Sequence, residues 1–244
     1  MSAAVTLATM RRILAQLRHD HRTIAMMIGV PSLLMILLRY VFDRPAVFDR
    51  VGPMLLGLFP FVIMFIVTSV GTLRERTGGT LERLMTMPMG RLDLLLGYAL
   101  AFGLVALAQV GAVLAIALTW LGLDLAGSGW TLLLVAVLDA LLGMALGLFA
   151  SAFARTEFQA VQFMPAFVLP QTLLCGLIMP RDQMASWLEA VSDVLPLTYA
   201  VDAMQRVSRE PDVGGALARD IVITAACTVL ALLLASVTLR RRTR

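Results

Sequence analysis

Two histidines flank an aspartate at His19, Asp20 and His21, the densest group of potential metal ligands in the chain. On a helix, residues i and i+2 point to different faces, and no cysteine lies near, so no metal site is expected there. Cys175 and Cys227 sit in apolar stretches without CxxC spacing and read as buried, inert thiols. No Ser–His–Asp set and no HExxH run is visible, and all 20 basic residues are arginine. A chain without lysine can offer neither the amine of a P-loop to phosphates nor a Schiff-base nucleophile. The chain is therefore expected not to be an enzyme and to bind no cofactor. If ATP drives it, ATP and magnesium belong to another polypeptide. Its net charge of +4 comes without a basic patch interleaved with aromatics, so no nucleic-acid partner is expected.

Asp139 is the one acid deep inside an apolar run. A charge at the centre of a bilayer costs at least ~2.5–3.5 kcal/mol, so this side chain should face a bundle interior, a partner helix or water. It reads either as a polar point on a transport or proton pathway or as a helix-packing residue. Gly143 and Gly147, one turn further on, form a GxxxG pair that permits close helix approach. Arg39 lies near the end of its apolar run and can snorkel outward.

The elements that must hold these residues are set by the solvent. The chain has 244 residues, 59% of them hydrophobic and 15% charged, with a mean hydropathy of +0.87. One globular core cannot hide that excess, so much of it must face lipid. Six apolar runs near the ~20 residues a bilayer requires lie at 23–42, 51–73, 93–122, 130–152, 159–180 and 220–239. Pro31, Pro60, Pro165 and Pro170 fall inside them, as kinks that are either hinges or packing features. Ahead of the first run, Met10, Ile13, Leu14 and Leu17 make one apolar stripe, with Arg11, Arg12 and Arg18 on other faces. That pattern predicts an amphipathic helix over 2–21 lying in the membrane interface.

The fold class is thus an all-α integral membrane protein, a single domain over 1–244. It divides into an interfacial helix (1–22), spans one to five (23–180), an external segment (181–219), and a last span with its tail (220–244). Thirteen arginines fall on the side of the N-terminal segment, the 74–92 and 153–158 loops and the tail, against seven on the other. The positive-inside rule then makes both termini cytoplasmic and 181–219 external. The connection around Phe42 to Arg50 is too short for an external domain. The arginine-only basic complement and the Ala/Leu/Gly richness point to a GC-rich bacterial genome, and so to a multi-pass protein of a bacterial plasma membrane.

The segment from Leu73 to Gly90 is too polar to span. Arg74, Glu75 and Arg76 leave the second span, and Gly78 and Gly79 break the helix. Thr80 can cap a short helix over Leu81, Glu82, Arg83, Leu84 and Met85, which Pro88 ends. Exposed Leu and Met beside charges suit docking into a partner's groove. An ordinary charged connector has the same composition.

The run RERTGGTLERLMTMPMGRLDLLLGYAL closely resembles the pattern of ABC-2 type permeases of the daunorubicin-resistance-like group. A second stretch, CGLIMPRDQMASWLEAVSDVLPLTYAVDAMQR, resembles the same family in its exit from the fifth helix (Gly176, Pro180), its hairpin tryptophan (Trp187), and Pro196, Leu197, Thr198 and Tyr199. The resemblance covers nearly the whole chain. It implies a coupling helix over Gly79 to Met87 seated on a separate ATPase subunit, with a smaller contact through Arg155 and Glu157. It implies a gate region at Arg74, Glu75 and Arg76, and a re-entrant external hairpin carrying Pro180, Trp187, Pro196, Thr198 and Tyr199. The implied assembly holds two copies of the ATPase and a second permease, identical or a paralogue. The implied activity is ATP-driven export of an amphipathic or hydrophobic cargo such as a drug, a lipid or a lipid-linked product. An ion-coupled transporter or channel using Asp139 is the alternative. It leaves both motif stretches unexplained, as does a non-transporting assembly factor.

Overall fold

The computed structural model describes residues 3–79, 90–210 and 214–238, and every regular element among them is helical. The helices are α1 (Ala3–His19), α2 (His21–Phe42), α3 (Pro45–Thr77), α4 (Arg91–Thr119), α5 (Gly129–Ser151), α6 (Glu157–Leu174), α7 (Ser186–Ser192), α8 (Pro196–Arg209) and α9 (Gly215–Thr238), with a 3-10 turn at Arg181–Gln183 before α7. Local chemistry sets several boundaries. Asp20 caps α2, its carboxylate accepting from the Thr23 N–H and hydroxyl. Thr156 caps α6 through the Gln159 N–H. Pro45 opens α3, where its fixed φ suits a first turn and its missing N–H costs nothing.

Among the described residues, five helices are long and apolar enough to cross a membrane: α2, α3, α4, α5 and α9. α6 differs from its sequence expectation. Where the apolar run predicts a span over 159–180, the helix stops at Leu174, and Gly176 turns the chain with φ +88°. Its 18 residues rise about 27 Å, just short of a ~30 Å hydrocarbon core. Gln159, Gln162 and Gln171 make it less apolar than the others. α3 and α9 are longer than expected. α3 runs through Arg74, Glu75 and Arg76 to Thr77 before Gly79 enters the left-handed region at φ +71°. α9 begins at Gly215, so Asp220 lies inside it. The helices run through Pro31, Pro53, Pro60, Pro165 and Pro170.

Contacts sort the helix ends into two groups. Arg12, Glu75, Tyr98 and Ala152 meet at one end. At the other, Arg39 donates to the Leu121 carbonyl, Ser208 bonds the Asp49 carbonyl, and Arg206 meets Asp220. α2 to α6 and α9 therefore alternate in direction.

The core forms where α3 meets α5. A Cβ at Gly143 would collide with the Phe61 carbonyl, and one at Gly147 with the Phe65 carbonyl and the Thr68 hydroxyl. The two glycines thus let α5 lie backbone to backbone on α3. Thr68 uses that proximity, donating to Met64 O at 2.6 Å and lying 3.2 Å from Met144 O across the interface. Phe61, Phe65, Met64, Leu142 and Met144 are fully buried around the seam. By contrast, α2 exposes Val30, Leu33, Leu37, Tyr40 and Val41, and α6 exposes Phe158, Leu169 and Leu173. Side chains of this kind read as lipid- or subunit-facing in a membrane protein.

Candidate functional site

The last turn of α3 carries three consecutive charged residues, and each reaches a different element. Arg74 points toward α6, where its Nε and Nη2 grip Glu157 Oε1 and Oε2 at 2.8 Å each. Glu75, about 100° further round the helix, faces α1 and α4. It accepts from Arg12 Nη1 at 3.0 Å and Nη2 at 3.4 Å, and from the Tyr98 hydroxyl. Arg76 donates to the carbonyls of Ala152 and Ala154, just past the end of α5. One helical turn therefore ties together α1, α4, the end of α5 and the start of α6.

These ties differ in strength. The Arg12–Glu75 pair is largely shielded, with 24% and 15% of the two side chains exposed, so its charge-assisted bonds act in a lower dielectric than water. The Arg74–Glu157 pair is open, at 63% and 54% exposure, and is worth little to stability by itself. Its bidentate geometry still fixes orientation, and the Arg74 guanidinium holds the Glu157 carboxyl below its usual value. α1 is held against α4 by steric fit as well, because Thr9 packs on Gly97, where a Cβ would collide with it.

The short helix expected over Thr80, Leu81, Glu82, Arg83, Leu84 and Met85 lies outside the described residues. Gly79 is described, and its positive φ ends α3 and turns the chain into that segment. Arg155 and Glu157, expected to act together, are placed differently. Glu157 is engaged by Arg74, while Arg155 is exposed and its backbone N–H bonds Gln159. Arg12 and Tyr98, which the sequence reading did not single out, are the partners of Glu75. Arg12 belongs to an amphipathic helix next to the buried Ile13, and that adjacency was the available signal.

At the opposite end, the residues expected in a hairpin lie on a 3-10 turn and two short helices, α7 and α8. Pro180 precedes the 3-10 turn, Trp187 stands two-thirds exposed on α7, and Pro196 opens α8. Thr198 donates to Ser192 O, and the Tyr199 hydroxyl to Asp193 O, so the turn between α7 and α8 is closed by side chains of the first turn of α8. Arg181 bridges Asp193 at 3.0 Å and Asp202 at 3.3 Å. Arg206 joins α8 to α9 through the fully buried Asp220 at 3.0 Å, which Arg219 also meets.

Asp139 is fully buried in α5, and neither carboxylate oxygen has a hydrogen-bond partner among the described residues. It lies where α3 and α8 converge. A Cβ on Gly57 would come within 3.2 Å of Asp139 Oδ2 and would collide with the Met204 side chain. Asp139 is therefore covered by α8. Among the described residues no cluster of three or more His, Cys, Asp or Glu could hold a metal.

Comparison with known proteins places this architecture. A family model described as ABC-2 type transporter matches residues 3–207. The chain is 29% identical over 157 residues to the probable multidrug ABC transporter permease YbhR of Escherichia coli, covering 64% of this chain and 43% of that protein. It is 28% identical over 159 residues to ABC transporter G family member 20 of Dictyostelium discoideum, covering 65% of this chain and 22% of that protein. It is 27% identical over 149 residues to the linearmycin resistance permease protein LnrN of Bacillus subtilis, with 60% and 38% covered. The chain thus spans less than half the length of these relatives.

Proposed function

The chain belongs to the ABC-2 type transporter family, and on that premise we propose that it is the permease of an ATP-driven exporter whose ATPase is a separate polypeptide. The observation that carries the reading is the charged turn at the end of α3. Arg74, Glu75 and Arg76 tie four other elements to one point, and the chain then passes through Gly79 into the segment expected to dock. A push delivered there reaches α1, α4, α5 and α6 together, as a coupling device requires. The absence of lysine from the sequence supports placing the nucleotide on a partner.

In this reading two ATPase subunits dock beneath two permeases, identical or paralogous, with both termini of this chain in the cytoplasm of a bacterium. Gly79 to Met87 forms the main contact, and Arg155 with Glu157 a lesser one. ATP-driven closure of the ATPases rocks the hub. The hairpin of α7 and α8, pinned by Arg181 and Arg206, caps the pathway on the outer side. The names of YbhR and LnrN refer to multidrug transport and to linearmycin resistance. They support an amphipathic or hydrophobic cargo, as does the sparse charge within the spans.

Co-purification with co-expressed ATPases from neighbouring genes tests this proposal. A tagged chain should retain a Walker-containing subunit with vanadate-sensitive ATP hydrolysis. Leu81→Arg with Glu82→Ala should release it. A chain that purifies alone, with no nucleotide response, overturns the reading.

The buried, unpartnered Asp139 favours one second reading, ion-coupled transport. That reading predicts flux without any ATPase and its loss in Asp139→Asn.

A further inference from the structure

At the end of the bundle opposite Glu75, the start of α3, the α4–α5 connection and the end of α8 flank a shallow, solvent-open crevice of about 500 Å³. Its lining is Ala46, Asp49, Arg50, Asp124, Ser208 and Arg209. The walls are tied to one another. Asp49 Oδ1 accepts from the Asp124 N–H at 3.0 Å, and Ser208 Oγ donates to Asp49 O at 3.2 Å. The Ala126 and Gly127 N–H groups bond the carbonyls of Ser208 and Val207. The crevice is therefore held by three elements, and its shape does not depend on its charged side chains pairing.

Those side chains do not pair. Two carboxylates and two guanidiniums line one crevice, and none of the four forms an ion pair with a described residue. At the same end Arg181 pairs with Asp193 and Asp202 and Arg206 with Asp220, while Asp43, Arg44 and Glu210 form no ion pair with a described residue. The crevice sits at the start of α3 and just past the end of α4, two helices long and apolar enough to cross a membrane, the end at which headgroups would meet them. We propose that it binds the phosphoethanolamine headgroup of a membrane lipid, Asp49 and Asp124 accepting from the primary ammonium while Arg50 and Arg209 hold the phosphate. A guanidinium fork matches phosphate oxygens, and an ammonium offers the N–H donors a carboxylate needs. Phosphocholine has no N–H to give, and phosphoglycerol offers the carboxylates neutral hydroxyls but no positive charge.

Native mass spectrometry of the full chain, reconstituted in vesicles holding equal phosphatidylethanolamine, phosphatidylcholine and phosphatidylglycerol, reads out the retained lipid. Phosphatidylethanolamine should be retained over phosphatidylcholine by about tenfold, the scale of one charge-assisted hydrogen bond. Asp49→Asn with Asp124→Asn should abolish that preference while keeping the oxygen that accepts from the Asp124 N–H. Arg50→Gln with Arg209→Gln should lower retention of phosphatidylethanolamine. If these variants fail to fold, Ala46→Trp fills the crevice and leaves all four charges in place, and the same loss is expected. Equal retention of the ethanolamine and choline lipids by the native chain overturns the proposal, as does a preference that survives both the Asp pair and the Ala46→Trp substitution. Binding of soluble phosphoethanolamine without lipid selectivity overturns the assignment to a lipid.

Discussion

Glu75 on α3 takes both terminal nitrogens of Arg12, a residue 63 positions earlier on α1. The amphipathic helix at the start of the chain is thereby bonded to the turn that leads into the expected docking segment. Glu75→Gln should remove the charge and keep the shape. A loss of roughly 2 kcal/mol is expected for charge-assisted bonds of this kind. Thermal unfolding in detergent measures it. With the partner ATPase present, stimulation of hydrolysis by cargo should weaken more than basal hydrolysis. Arg12→Met combined with Glu75→Gln should cost less than the sum of the two single changes.

Arg74 and Glu157 offer a cleaner exchange, since both are exposed and the fold gains little from them. Arg74→Glu alone should impair export, and Arg74→Glu with Glu157→Arg should restore part of it. Cargo efflux from inside-out vesicles reads both. The pair's contribution follows pH with a definite sign. Glu157 is held below its ordinary value by Arg74, so the tie is present above the ordinary glutamate range and is lost as pH falls through the lowered one. Charge-swapped and native chains should therefore converge in acid. Rescue that fails at neutral pH would separate the pair from function.

Gly143→Ala places a methyl against the Phe61 backbone, and Gly147→Ala places one against the Phe65 carbonyl and the hydrogen-bonded Thr68 hydroxyl. A destabilisation of about 1–3 kcal/mol is expected for each, seen as a lower melting temperature. Gly111→Ala on α4, where a Cβ meets open space, should be silent in the same assay.

Asp139→Asn distinguishes the two readings of that residue. As a packing residue covered by α8, it should tolerate the isosteric amide with ATP-driven export intact. Abolished export alongside normal ATPase assembly and stability would assign Asp139 to the transported ion's path.

The sequence shows the parts of this architecture whose cause is local. Apolar runs of bilayer length located α2, α3, α4, α5 and α9, and the Gly78–Gly79 pair marked the end of α3. The break after Leu174 was harder to see, because Cys175 to Met179 is as apolar as the helix before it and only Gly176 carries the turn. The three charges of the hub stood out by composition. Their partners did not, because Arg12–Glu75, Tyr98–Glu75 and Arg74–Glu157 span 63, 23 and 83 residues and depend on how whole helices lie together. Asp139 was conspicuous as an acid in an apolar run, but its closure by Gly57 and Met204 is a property of three helices at once.

Only Asp43 and Arg44 separate α2 from α3, with Asp43 in a left-handed turn and Pro45 opening the next helix. A two-residue link leaves the two helices no freedom to separate: whichever way α2 crosses, α3 must return beside it, with Arg39 next to the turn and bonded to the Leu121 carbonyl. The pair is one antiparallel unit, so an error in the orientation of α2 would carry α3 with it.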